Sequence, residues 1–164
     1  MVVVYCDGSA INNGKKDKSQ GAGIGVFFPE YPKIGLAEPV PRKFNQTNQV
    51  AELWAINRAI DIAISQDFKE LLIKSDSKYS IECLSKWCKN WEKNGWKTSG
   101  KLEVKNKNII QDTLTKMKKI EISFKHVRGH TIEPKDEMST EWEDWYGNDQ
   151  ADTMANIGTL KSLL

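Results

Sequence analysis

Glu52 occupies a position at which a carboxylate is costly. The residues three, four, seven, eight and eleven places further on are Ala55, Ile56, Ala59, Ile60 and Ala63, the spacing of one apolar helix face. Asn57, Arg58, Asp61 and Ser65 read as the polar face. Glu52 therefore starts the stripe that packs on the rest of the fold. An unpaired buried carboxylate costs on the order of several kcal/mol. An acid in a first helical turn gains only about 0.3–1 kcal/mol from the macrodipole. The gain does not offset the cost, so a cationic partner is implied.

Asp7 follows the apolar run Val2-Val3-Val4-Tyr5-Cys6, and Asp76 follows a second, shorter run at 71–73. Taken singly, Asp7-Gly8 is a common turn dipeptide and Ser75-Asp76-Ser77 a common helix cap. Taken together, two acids at the carboxyl ends of neighbouring strands project to one sheet edge, where α/β folds place their sites. Asp152, near the start of a last helix, could join them or be another first-turn acid. Asp149 is its rival. Clustered carboxylates raise one another's pKa unless a dication neutralises them. Oxygen ligands without Cys or His at ligand spacing select Mg²⁺ or Mn²⁺ over Zn²⁺. Paired ions of this kind, about 3.5–4 Å apart, serve phosphodiester hydrolysis. His126 and His130 are four apart, but strand alternation and the intervening Arg128-Gly129 exclude a helical zinc pair.

The elements that must position these groups follow from periodicity and turn chemistry. Strands are expected at 2–6, with a turn at Asp7-Gly8, at 21–28, and more weakly at 34–44, where prolines interrupt. A helix is expected at 47–65, a buried strand at 71–73 and a helix at 77–87. After a Lys/Trp-rich excursion at 89–106 come a helix at 109–119 and a strand at 121–127, with Ile122, Phe124 and His126 on one face. A long polar loop then leads to a last helix at 148–156. The order βββαβαβα, with an extra helical excursion, implies an α/β fold: a five-stranded mixed sheet flanked by helices.

The 164 residues are expected to form a single domain. No apolar run reaches the roughly 20 residues of a membrane span, and the N-terminus lacks the features of a signal peptide. Three cysteines, Cys6, Cys83 and Cys88, make no CxxC pair, so a disulfide framework is not expected and an intracellular setting, cytoplasm or nucleus, is. The net charge of +2 conceals a division: seven lysines against two acids between Lys86 and Lys107, and seven acids against one lysine between Glu133 and Asp149. Either run can be a plain solvated surface. Lysines interleaved with Trp87, Trp91 and Trp96 also suit a nucleic-acid backbone, although Trp87 and Trp91, four apart, could instead be core or a helical stripe.

Six segments resemble, in order, the motifs of type 1 ribonuclease H: Val4-Tyr5-Cys6-Asp7-Gly8-Ser9, Thr47-Asn48-Gln49-Val50-Ala51-Glu52, Ser75-Asp76-Ser77, Trp87 through Asn94-Gly95-Trp96-Lys97-Thr98, Val127-Arg128-Gly129-His130, and Gly147-Asn148-Asp149-Gln150-Ala151-Asp152. The resemblance implies the ribonuclease H-like fold over 1–164, with a basic protrusion at about 86–107 and a long acidic loop at about 131–147. It implies a monomeric endonuclease that cuts the RNA strand of RNA–DNA hybrids and leaves 5′-phosphate and 3′-hydroxyl ends. Two Mg²⁺ ions, with Mn²⁺ a substitute, would be held by Asp7, Glu52, Asp76 and Asp152; the pattern from Asn148 selects Asp152 over Asp149. His130 becomes a mobile loop histidine that assists catalysis or product release.

By the same resemblance Tyr79, Trp87, Trp91 and Lys97 belong to the surface that grips the DNA strand. Thr47 and Asn106 form a DNA-phosphate pocket, and Asn13, Asn48 and Gln49 contact the RNA strand near its 2′-hydroxyls. The chain departs from the pattern in four places. Asn45 stands where some members have an arginine, leaving phosphate grip to Arg42 or Lys43. The 15–20 loop is more charged than usual, and Lys78 replaces a neutral residue. The segment 131–146 is long and acidic, and is expected to repel the nucleic-acid backbone or tune metal occupancy and product release.

Overall fold

In the computed structural model, which describes residues 1–13 and 19–164, five strands form one sheet in the order β3-β2-β1-β4-β5. β1 (Val2–Ile11), β2 (Gly21–Phe27) and β3 (Leu36–Pro39) make an antiparallel meander. β4 (Glu70–Ser75) and β5 (Glu121–His126) add in parallel on the other side of β1. The expected mixed sheet and element order are present. The third strand is shorter than expected: a 3₁₀ turn at Pro32–Ile34 precedes it, and at its end Pro39 and Pro41 have no N–H to donate to a ladder. The charged 15–20 loop lies, apart from Ser19 and Gln20, outside the described residues.

The largest correction at the site end concerns Asp7-Gly8, which is not a turn. β1 leaves its parallel pairing with β4 after Cys6↔Ser75 but continues against β2 as far as Ile11↔Gly21. Asp7 and Asp76 are therefore the residues immediately beyond the last paired rung, side by side at one edge. A Cβ on Gly8 would collide with the backbone of Ala51 and Glu52, so the missing side chain admits the start of α1 directly onto β1.

α1 (Asn48–Ser65) is capped by Thr47, whose Oγ1 accepts the Val50 N–H at 3.2 Å. Its buried face, Val50, Leu53, Ile56, Ile60 and their alanine neighbours, joins Val4, Ile24, Leu71 and Ile73 in the main core. Asn57, read from the sequence as polar surface, is fully buried. Its amide donates to Asp112 Oδ2 at 2.9 Å and Thr113 Oγ1 at 2.8 Å, and its carbonyl accepts from Lys116 Nζ at 2.8 Å. These partners lie on α4 (Lys107–Met117), so Asn57 ties two helices together.

The helix expected to stop at Trp87 continues. α2 (Lys78–Glu82) passes through one π-turn at Cys83–Trp87 into α3 (Cys88–Asn94), which ends at Gly95 with φ of 75°. The basic protrusion thus starts on helix and only then becomes the loop that returns through the Lys97↔Glu103 bridge. Cys6, Cys83 and Cys88 are free and buried. Among the described residues no helix is long and apolar enough to cross a membrane.

α5 begins at Thr140 rather than 148 and runs 23 residues to Ser162. Ser139 Oγ accepts the Trp142 N–H at 3.1 Å, and Glu141 and Glu143 sit where the helix dipole favours acids. Half of the expected acidic loop is therefore helix, and Asp152 is well inside it rather than in its first turn. Asp144 is not solvated: it accepts Lys74 Nζ at 2.6 Å, Lys125 Nζ at 2.8 Å and Tyr5 Oη at 2.8 Å. Burial alone would raise its carboxyl, but these donors outweigh burial and hold it below its ordinary value. Lys74 is itself buried. Removing one member of a buried pair leaves the other charge stranded, so Asp144→Ala should destabilise the fold by about 3–5 kcal/mol in urea unfolding. A loss under about 1 kcal/mol would mean that water replaces the carboxylate without penalty.

Candidate metal centre and nucleic-acid interface

Three chain segments bring Asp7, Glu52 and Asp76 together. β1 supplies Asp7, which is only 3% exposed; the second turn of α1 supplies Glu52; the end of β4 supplies Asp76. One carboxylate oxygen from each lies within 4.8 Å of the other two. Asp152 reaches the group from α5. A Cβ on Gly25, the partner of Asp7 in the β1–β2 ladder, would overlap the Ala151 carbonyl. That close seat sets the next residue, Asp152, within side-chain hydrogen-bond reach of Asp7. Asp152 is outside the tight trio, and the exposed Asp149 lines a cleft beside it.

The electrostatics of the trio are unsatisfied. Burial, then the charges of Glu52 and Asp76, push the Asp7 carboxyl far above its ordinary range. Burial raises Glu52, with Asp7 as a hydrogen-bonding neighbour partly opposing it. Burial also raises Asp76, opposed chiefly by His130. Among the described residues no lysine or arginine pairs with any of the four acids. Glu52 is half-buried as a residue, yet its Oε2 is fully enclosed and has no hydrogen-bond partner. Among the described residues the cationic partner that the sequence implies is thus no side chain. A buried, unpartnered oxygen facing two further carboxylates is the donor set of a hard divalent cation.

Two residues beside the cluster were not singled out by sequence reasoning. His126, set aside as half of a zinc pair, closes β5 opposite Ser75, with its Nε2 3.2 Å from the Asp76 carbonyl. Gly129 abuts Asp76 so closely that a Cβ would strike its Oδ2. The β4–β5 register creates both contacts, and no local pattern announces it. His130 follows on an exposed loop with φ of 54°, lining the cleft that also holds Asp149 and Asp152.

The positions assigned to nucleic acid fall in two groups. At the N-terminus of α1, Asn48 and Gln49 are exposed, and the Asn48 N–H donates to Asn13 Oδ1 at 3.2 Å. On the α2–α3 side, Tyr79, Trp87, Trp91 and Trp96 form a chain of half-buried rings with centroids 6.1, 6.1 and 5.8 Å apart. They pack on the core and expose an edge, so core and surface readings both hold in part. Asn106 Nδ2 donates to Tyr79 Oη at 3.1 Å. Lys97 is exposed, its backbone held by Asn94. Lys43, Asn45, Lys105 and Asn106 line an open cleft to which Thr47 does not contribute. Of the two cations considered as replacements for the missing arginine, Lys43 lines this cleft. Arg42 instead donates to the carbonyls of Gln20 and Ser162.

The RNase H family model matches residues 1–159. Ribonuclease H of Schizosaccharomyces pombe is 38% identical over 156 residues, covering 95% of this chain and 52% of that protein. Ribonuclease H1 of Homo sapiens is 36% identical over 166 residues, covering 99% of this chain and 51% of its own length. The chain thus spans about half the length of these curated relatives. The solution structure of the prototype foamy virus RNase H domain superposes with a TM-score of 0.72 at 27% identity, covering 98% of this chain and 94% of that one.

Proposed function

Because this chain belongs to the RNase H family, we propose that it is an endonuclease acting on the RNA strand of RNA–DNA hybrids, leaving 5′-phosphate and 3′-hydroxyl ends. The observation that carries the reading is the carboxylate trio, with its enclosed and unpartnered Glu52 Oε2, in a fold that also presents exposed polar and half-buried aromatic side chains. Asp7, Glu52 and Asp76, with Asp152 beside them, would hold two Mg²⁺ ions, and Mn²⁺ could substitute. Such ions supply Lewis acidity and a water nucleophile at neutral pH. Asp7, which lies against Glu52, Asp76 and Asp152, would be the central carboxylate of this set.

The remaining roles belong to the protein surface. Asn13, Asn48 and Gln49 offer amide donors and acceptors suited to ribose 2′-hydroxyls. Tyr79, Trp87 and Trp91 offer ring edges to the deoxyribose strand, with Lys97 near its phosphates, and Lys43 and Asn106 suit one phosphate of that strand. His130 stands where it can assist departure of the cleaved strand. The chain is proposed to work as a monomer.

A substrate panel tests the proposal. With Mg²⁺, the chain should cut the RNA strand of a uniform hybrid at least about 100-fold faster than double-stranded RNA or DNA, and EDTA should stop it. Equal cutting of the three duplexes would overturn the substrate assignment. Hybrid binding without cutting would make the chain a binding module.

A further inference from the structure

Two indole N–H groups on α5 close onto the loop that carries His130. Trp145 Nε1 donates at 3.2 Å to the carbonyl of Thr131, the residue after His130. Trp142 Nε1 donates at 3.1 Å to Glu133 Oε1. The two indoles lie 6.0 Å apart, and Trp142 stacks on Tyr146 at 5.1 Å with planes 8° apart. The donors therefore sit on a preorganised aromatic platform rather than on single mobile side chains. That platform belongs to the helix that carries Asp152, seven residues beyond Trp145 and so about two turns along the same face. Trp145, His130 and Asp152 line one cleft.

The loop itself needs holding. His130 has φ of 54°, a left-handed conformation that a non-glycine residue keeps when its surroundings enforce it. Gly129 is pressed against Asp76 on one side, and the Thr131 carbonyl is held by Trp145 on the other. Between these two anchors His130 is near enough to Asp76 to draw its carboxyl down against burial.

We propose that Trp145 is a positioning residue: through the Thr131 carbonyl it sets where His130 stands relative to Asp76 and Asp152, and the Trp142–Glu133 bond is a second clasp on the same loop. In this proposal the tryptophans of the 131–146 segment form a strut between the loop and the helix bearing Asp152. The catalytic consequence rests on the hybrid-cleaving function proposed above. Neither indole lies on the polar or aromatic surfaces assigned to the duplex, so loosening the clasp should lower kcat and leave KM for the hybrid in place.

Trp145→Phe keeps a ring in the packing and deletes only the donor. The expected result is a kcat lower by about 3- to 10-fold, the scale of one hydrogen bond's net contribution, with KM within about 2-fold. His130→Ala should lower kcat at least as far, and the double variant should be no slower than His130→Ala alone, because both changes act through one group. Without substrate or metal, the His130 ring proton signals, assigned by their loss in His130→Ala, should shift or broaden in Trp145→Phe. An unchanged His130 signal together with unchanged kcat overturns the clasp, as do losses that multiply in the double variant. A parent chain that cuts no hybrid overturns the proposed function instead, and the His130 signal then decides the clasp by itself.

Discussion

Asp7→Asn is expected to lower hybrid cleavage by about 10³-fold or more, the scale of losing a preorganised electrostatic group at a reacting centre, while raising the melting temperature of the metal-free chain. The two effects have one cause. Asp7 is almost wholly buried between Glu52, Asp76 and Asp152, and its carboxyl is pushed up by burial and by its acidic neighbours. An amide of the same shape removes that repulsion and offers Glu52 and Asp152 a donor. Each unit of carboxyl pKa shift relieved is worth about 1.4 kcal/mol, so a stabilisation on the order of 1–3 kcal/mol is expected. In a chain of this size that is roughly 2–4 °C of Tm for each kcal/mol. Binding of the hybrid should persist, because the exposed polar and basic groups are untouched. A residue with a purely structural role would lose stability and activity together. Asp76→Asn should behave alike with a smaller gain in Tm, since Asp76 is less deeply buried. Mg²⁺-dependent cleavage retained in both variants would remove these carboxylates from the catalytic centre.

Without metal the fold should become less stable as pH rises, and Mg²⁺ should reverse the trend. Asp7, Glu52 and Asp76 all have carboxyls raised above their ordinary values of 3.8, 4.5 and 3.8. The folded chain therefore holds protons that the unfolded chain has released, and stability falls with pH wherever that difference exists. The contribution is fully present below about pH 4 and is lost progressively above it, as the unfolded-state carboxyls ionise first; the loss ends only where the folded-state carboxyls ionise, near pH 8 for Glu52 and higher for Asp7. A dication that binds the ionised trio stabilises by mass action, about 2.7 kcal/mol when free ion is 100 times its Kd. The gain should be larger at pH 8 than at pH 5, because binding at the lower pH must first displace protons. Urea unfolding at several pH values, with Mg²⁺ and with EDTA, measures both slopes. Asp7→Asn should flatten the metal-free one. An Mg²⁺ effect equal at pH 5 and pH 8, or absent at both, would mean that the ion does not bind the trio.

Much of this protein was legible in its sequence because the relevant signals are local. The 3.6-residue spacing after Glu52, the Thr47 cap and the alternation around Ile122 and Phe124 each lie within a dozen residues, and the strand and helix order followed from them. The same spacing marked Glu52 as a carboxylate without a solvated place, and the fully enclosed Oε2 is its counterpart in the structure. Other features were invisible or misread. Asp7-Gly8 has the composition of a turn, yet β2 pairs across it and α1 rests on Gly8, so long-range pairing overrides local turn chemistry. The acids from Glu133 to Asp144 look like a solvated loop. The structure converts half of them to helix, because Ser139 caps it, Trp142 and Trp145 bond the preceding loop, and Asp144 meets two lysines and a tyrosine.

The sequence by itself determined which elements form, in what order, and that Glu52 starts an apolar face where a carboxylate is costly. Only the tertiary structure decided that Cys6 pairs with Ser75, so that Asp7 and Asp76 stand side by side. It also decided that Ala151 sits on Gly25, bringing Asp152 to Asp7, and that two tryptophans bind the loop of His130 to the helix bearing Asp152. Secondary structure follows from torsional preference and side-chain period, which a short window of chain contains. Register and seating depend on contacts between residues far apart in the chain, such as Cys6 with Ser75 and Tyr5 with Asp144, and these exist only once the core between the sheet and its helices has closed.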